Sequence, residues 1–219
     1  MKMISINRLR EAIIDMRYLL SRGYTRKSAS IFIANRYGLS KDERAILYRA
    51  VYDEETVKKH KEKLVSPSFV KGRVLAIDGF NVLITVESGL KGKVLVECDD
   101  GFIRDVSAVF GKYVISDYTF KAIDLILNFI SDFNPQKVLF FFDSPVSRSG
   151  ELASNVRSYL KRYGINGDAR AVKKSDIAVL THGEVVATSD CVIIERATKV
   201  LDLAGNIIRR YFSNLILKI

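Results

Sequence analysis

Cysteine, glutamine and methionine are scarce in this chain of 219 residues: it has two cysteines, three methionines and a single glutamine, Gln136. Two cysteines, Cys98 and Cys191, are too few for a disulfide framework or a zinc site. The frugality in glutamine and methionine fits a thermophilic origin. Long apolar runs are also missing. Val138-Leu139-Phe140-Phe141-Phe142 is the longest kind present, well short of the roughly 18 to 20 residues that cross a bilayer. It suits a buried strand. Met1 to Arg10 carries scattered charge and lacks the apolar segment of a signal peptide. A cytoplasmic protein with no membrane partner is expected. Histidine is rare too. His60 and His182 have no partners at metal-ligand spacing, and both are expected at the surface.

What is present is a globular composition, 48% hydrophobic and 27% charged. The net charge of +10 is unevenly spread: residues 1–73 hold 17 Lys+Arg against 8 Asp+Glu, and the remainder is nearly balanced. A localised basic excess gathers polyanions and supports phosphate contact independent of sequence.

The first third has a helical period. Leu9, Ile13, Met16 and Leu20 form one apolar stripe, ended by Gly23. Thr25 fits the N-cap of a second helix running to Tyr37, with Gly38 past its end. Ser40 and Glu43 fit a capping box opening a third helix through Ile46, Leu47 and Val51. The unit is a three-helix bundle with a basic face over residues 1–65; a helix-turn-helix that reads nucleic acid is the alternative. Residues 66–72, with Ser66-Pro67-Ser68, read as a linker.

From residue 73 the pattern becomes that of short apolar strands alternating with helices. Arg73 to Ile77, Lys137 to Phe142, Ala169 to Val172 and Val185 to Thr188 are strands. Phe120 to Phe133 and Glu151 to Tyr163 are helices. The fold class is α/β, a central and mostly parallel sheet with helices on both faces over residues 73–219, preceded by the small all-α domain. Segment 86–118 reads as an insertion containing a hairpin that turns at Asp99-Asp100-Gly101. Asp99, Asp100 and Asp105 are expected there as turn and surface residues, with Asp105 a minor candidate for the site.

Several strands end in an acid. Asp78 closes the first, Asp143 the second, and Asp190 follows Val185–Thr188. Asp176 opens a short helical turn nearby. Parallel strands joined by crossovers put their C-terminal ends on one edge, where ligands bind. Carboxylates gathered there repel and need cations to remain ionised, and hard oxygen ligands suit Mg²⁺ or Mn²⁺. The rival reading is that such residues merely cap helices and form turns.

Ile77-Asp78-Gly79-Phe80-Asn81-Val82 resembles the Asp-Gly-Tyr-Asn opening of NYN domains, relatives of the PIN nucleases. Phe141-Phe142-Asp143 is similar to their second strand. Ser175-Asp176-Ile177-Ala178 and Ala187-Thr188-Ser189-Asp190 resemble the closing pair of acids common to both groups. The resemblance covers roughly residues 73–210, and the whole chain resembles an archaeal family that joins a small helical domain to a PIN-like domain. It implies metal-dependent hydrolysis of a phosphodiester, with RNA ahead of DNA as substrate. Asp78, Asp143, Asp176 and Asp190 would be the catalytic and metal-binding residues. Asn81 would orient Asp78 or a water, Thr188 and Ser189 would contact phosphate or hold Asp190, and Arg148 would clamp the scissile phosphate. Arg22, Arg26, Lys27, Arg36, Arg44 and Arg49 would capture RNA from the helical domain. Removing the residues before Ser68 should then weaken binding and spare the metal site. A non-catalytic nucleic-acid-binding protein and a protein-interaction module remain as alternatives, and a homodimer is left open. A haloacid-dehalogenase-like phosphatase needs a second Asp two positions after Asp78, where Phe80 stands.

Overall fold

A computed structural model describes residues 6–106 and 113–219. Residues 107–112 of the expected insertion lie outside the described residues. Helix α1 (Ile6–Ser21) buries the stripe Leu9, Ile13, Met16 and Leu20. Gly23 follows with φ +82°, a left-handed value that glycine adopts without steric cost. Thr25 caps α2 (Arg26–Arg36) by accepting from the Ser28 N–H. The Ser40–Glu43 capping box opens α3 (Lys41–Ala50). Glu43 also receives Arg8 from α1, at 3.1 Å to each carboxylate oxygen. Burial pushes the Glu43 carboxyl up, but hydrogen bonds from Ser40 and Arg8 outweigh it and hold the group down to about 2.

A fourth helix, α4 (Glu54–Lys63), adds to the three that the sequence pattern predicts. Val51 is extended and ends α3, and Asp53 starts a new cap by accepting from the Thr56 N–H at 2.8 Å. The segment after it does not run through solvent. The Val65 N–H donates to the Val200 carbonyl at 2.8 Å, and Pro67–Val70 forms a single 3₁₀ turn that buries Val70.

Strand β1 (Val74–Asp78) passes directly into α5 (Gly79–Leu90). This helix is absent from the sequence reading, and its last turn occupies the start of the presumed insertion. It is buried on most sides, so it carries little of the polar–apolar alternation by which helices are recognised. The chain continues through β2 (Leu95–Glu97), β3 (Ile103–Arg104), α6 (Asp117–Ser131), β4 (Lys137–Asp143), α7 (Ser149–Arg162) and β5 (Gly167–Val172). Then come α8 (Ser175–His182), β6 (Val185–Ala187), α9 (Cys191–Arg196), β7 (Val200–Leu201), α10 (Leu203–Tyr211) and β8 (Ile216–Lys218). The sequence pattern assigns nothing past Asp190.

Five strands form one parallel sheet in the order β5-β4-β1-β6-β7. Its two faces follow strand parity. Leu75, Ile77, Phe140 and Phe142 point to one core with α5, α6, α7 and α10. Ala76, Phe141 and Val186 point to the other, with Val179 of α8 and Ile193 and Ile194 of α9. Both faces are covered, as the continuous apolar strands require. Among the described residues no helix is long and apolar enough to cross a membrane.

The expected hairpin forms between β2 and β3, and β8 joins it in a second sheet of order β3-β2-β8. This small sheet couples the two parts of the protein. Val96, Cys98 and Leu217 pack into the core of the helical domain, while Leu95, Ile103 and Ile216 pack with Ile208 of α10. The insertion is thus the seat on which the helical domain rests.

Candidate functional site: the acidic edge and the cleft above it

The strand order sets the position of the site. The helices that follow β1 lie on one face of the sheet, and the helix that follows β6 lies on the other. Chain therefore leaves β1 and β6 in opposite directions, and a crevice opens between their C-terminal ends, where open α/β sheets bind ligands. Asp78, Thr188, Ser189 and Asp190 stand at that crevice.

Asp78 is buried, and its Oδ2 accepts from the Thr188 hydroxyl at 2.9 Å. Burial pushes the carboxyl up to about 7; Thr188 opposes the shift, while the nearby Asp190 and Asp143 carboxylates add to it. Gly79 has a specific task here. A Cβ on it would lie 2.4 Å or less from two Phe142 ring atoms and 2.9 Å from the Phe141 carbonyl, so only glycine lets α5 start this close to β4. Asn81, in the first turn of α5, accepts from the Ser189 N–H at 2.8 Å and the Ser189 hydroxyl at 3.0 Å. The Asn81 side chain therefore holds the loop after β6, while its backbone N–H donates to the Asp78 carboxyl.

Asp143 ends β4 two residues past Phe141, the register partner of Asp78, and its Oδ1 accepts from the Ser175 hydroxyl at 2.8 Å and the Ser175 N–H at 3.3 Å. Asp190 is exposed and caps α9, its Oδ1 accepting from the Val192 N–H at 2.8 Å. Asp176 lines the same cleft but pairs with Arg196 at 3.4 Å. The four acids share one edge in two different conditions: Asp78 and Asp143 are held inside it, Asp176 and Asp190 are engaged at its rim. Among the described residues no three His, Cys, Asp or Glu side chains are gathered tightly enough to hold a metal ion. The donor chemistry nevertheless fits Mg²⁺ or Mn²⁺, since Mg²⁺ is commonly held by one or two carboxylates with waters and substrate oxygens completing its shell. A cation there would also offset the repulsion that raises Asp78.

Above this edge lies a cleft of about 630 Å³. One wall is the acidic edge; the other comes from the helical domain and includes Arg26, Tyr48, Arg49 and Tyr52. The six basic residues expected to capture RNA thus divide. Arg26 and Arg49 reach the cleft. Arg44 is folded back onto the Leu39 carbonyl at 2.8 Å and the Ala34 carbonyl at 3.3 Å, where it closes the α2–α3 turn. Arg36 pairs with Asp15 at 3.6 Å. Arg22 and Lys27 are exposed. Arg148, expected as a clamp, stands apart from the cleft: it has φ +62° ahead of α7, lies outside the cleft lining, and pairs with Glu151 at 2.7 Å.

Two further expectations are corrected. His60 and Asp100 are fully buried, and Asp105 is buried as well. His60 Nδ1 lies 2.8 Å from Asp100 Oδ2, and Arg104 grips both Asp100 oxygens at 2.7 Å. Burial pushes Asp100 up, yet His60 and Arg104 bring it down to about 2. The Asp-Gly turn expected at 99–101 does form, with Gly101 at φ +84°. Arg104, missed in the sequence, donates from Nε to the Ser189 carbonyl at 2.7 Å. Two signals point to this triad. Val57, His60 and Leu64 are spaced along one helix face, and Arg104 directly follows the apolar pair Phe102-Ile103. His182 is exposed as expected, with its ring stacked on Phe141.

A family described as a domain of unknown function (DUF5616) matches residues 67–206, and the chain belongs to that family. Residues 8–63 match a second family, described as a protein of unknown function (DUF434). The two matches meet at the boundary between the helical domain and the sheet. The chain is 41% identical over 207 residues to Uncharacterized protein MJ0935 of Methanocaldococcus jannaschii, covering 94% of this chain and 97% of that protein. No solved structure matches it.

Proposed function

We propose that this protein is a Mg²⁺- or Mn²⁺-dependent endoribonuclease of PIN/NYN type working in the cytoplasm. The observation that carries the reading is the buried Asp78, at the switch point of a parallel sheet, raised to about 7 with Asp143 and Asp190 contributing. Carboxylates collected at that cost without a basic partner support a cation site at this edge. Asp78 and Asp143 would hold the ion, with Asp190 in support. The ion would supply charge neutralisation at the phosphodiester and an activated water. The chain's own residues prepare the site. Thr188 fixes one oxygen of Asp78. Asn81 and Arg104 pin Ser189 from two sides and thereby hold the neighbouring Asp190. Arg26 and Arg49 face the edge and provide positive charge for the phosphates.

The test is cleavage of end-labelled RNA by the full chain with Mn²⁺ and with EDTA, alongside Asp78→Asn. Cleavage that needs Mn²⁺ and is lost in the variant supports the reading. No cleavage, or equal cleavage by Asp78→Asn, overturns it. A second reading, non-catalytic RNA binding, has one observation in its favour: Asp176 is tied to Arg196 and Asp190 to the α9 cap, leaving two of the four acids partly occupied.

A further inference from the structure

The cleft has two unlike walls. On the sheet side stand two carboxylates, Asp78 and Asp143, with no arginine or lysine partner among the described residues. On the helical side stands Arg26, which has no carboxylate partner among the described residues. It is held between aromatic rings, with its guanidinium carbon 5.1 Å from the Tyr48 ring centroid and 4.7 Å from that of Tyr52. Its Nη2 lies 3.6 Å from Cys191 Sγ, directly beside Asp190 in sequence. The placement is fixed from both sides. Tyr52 is buried and also lies 5.2 Å from the Arg104 guanidinium carbon, so the triad that pins Ser189 supports the ring under Arg26. Tyr48 is 42% exposed, a large ring left open at the cleft.

We propose that the helical domain supplies half of the site: Arg26 binds a backbone phosphate of a single nucleic-acid strand threaded along the seam, and Tyr48 stacks one of its bases. The inference rests on the reading of the acidic edge as a phosphodiester site. A phosphate between Arg26 and a cation on the carboxylates satisfies both walls at once. Neither wall alone attracts a strand, because the acids repel it until neutralised and one arginine holds it weakly. At about 630 Å³ the cleft is in the range of small-ligand sites. It therefore takes a nucleotide unit whose base is free of its partner. An open tyrosine ring beside a guanidinium is the kind of platform on which unpaired bases stack, largely regardless of sequence.

The experiment measures binding of the full chain in Ca²⁺, a hard cation that neutralises carboxylates, to a labelled single-stranded oligoribonucleotide and to its duplex, at several salt concentrations. Arg26→Gln should weaken single-strand binding and flatten the slope of log affinity against log salt by about 0.7, one phosphate contact. Tyr48→Ala should lose about fivefold to a hundredfold for the single strand, one stacked base, with Tyr48→Phe retaining it and duplex binding unchanged. Arg162→Gln, on α7 outside the cleft, should change neither. Equal urea midpoints for all variants establish that the folds are intact. Tyr48→Ala binding like Tyr48→Phe, or an unchanged slope in Arg26→Gln, overturns the proposal even if Mn²⁺-dependent cleavage is present. Absent cleavage with these binding losses intact sinks the nuclease reading and leaves the two-walled strand site standing.

Discussion

Arg104 Nε donates to the Ser189 carbonyl at 2.7 Å while its other nitrogens grip Asp100, whose second partner is His60 of α4. A single buried guanidinium thus links the helical domain, the hairpin and the loop that carries Asp190. Replacing it strands the Asp100 charge in the interior, a change that costs about 3–5 kcal/mol in buried ion pairs. Arg104→Ala should lower the urea unfolding free energy by that amount. Adding Asp100→Asn should recover part of the loss, because the stranded charge is then gone. A loss below about 1 kcal/mol in Arg104→Ala would mean that the network carries little stability.

Asp78 gives the metal-free protein a particular pH dependence. Its folded pKa, raised chiefly by burial, is about 7 against an ordinary 3.8. The folded state therefore binds this proton more tightly than the unfolded chain. The resulting stabilisation is fully present below about pH 4 and is lost as pH rises through about 7, each tenfold difference in proton affinity contributing about 1.4 kcal/mol. Urea midpoints measured between pH 4 and 8 in EDTA should fall more steeply for the natural protein than for Asp78→Asn. Mg²⁺ should recover stability at the upper end of that range in the natural protein alone. Parallel profiles for the two proteins would show that Asp78 ionises normally.

Gly79→Ala tests the close approach of α5 to β4. The new methyl meets the Phe142 ring and the Phe141 carbonyl inside van der Waals distance, and overpacking of this kind costs about 1–3 kcal/mol or more. Because Asn81 sits in the first turn of the same helix, the shift should also loosen the Ser189 loop. The expected result is a lower thermal midpoint together with a disproportionate loss of Mn²⁺-dependent cleavage. A normal midpoint would show that the two elements can separate freely.

Removing residues 1–67, which from the sequence should weaken RNA binding and spare the site, has a different expected outcome. It would uncover Val96, Cys98 and Leu217 on the small sheet, and would leave Asp100 and the Phe102 ring without the His60 that covers them. Contiguous apolar surface of this kind drives association. The shortened chain should elute as aggregate in size-exclusion chromatography. A well-behaved monomer would show that the sheet half folds unaided.

The sequence discloses the central sheet because β1 and β4 are continuous apolar runs, a pattern that few other elements produce. Helix α5 is hidden for the opposite reason: Phe80, Val82, Leu83 and Val86 spread around it, and its stripe of Asn81, Thr85 and Ser88 carries no charge to mark a solvent face. Strands β7 and β8 are only two and three residues long, too short for periodicity to register. The acids Asp78, Asp143 and Asp190 are legible because each follows an apolar strand. The partnership of Asp176 with Arg196 is not, since it depends on how α8 and α9 meet. His60 and Asp100 read as surface residues because lysines flank the one and a turn surrounds the other. Local composition points outward, while pairing across 40 positions takes them inward.

The seating of the helical domain on β2 and β8 also bears on the order in which the protein is made. A core built around Leu9, Ile13 and Met16 is completed by Val96 and by Leu217, so a ribosome must pass residue 217 before that core closes. Until then the nascent helices keep one oily side without its cover. Contacts so distant in sequence form slowly, and the two banks of the cleft come together among the final events of folding. A chain stalled before Leu217 would leave the helical core without its last cover and the acidic edge not yet aligned beneath the basic helices.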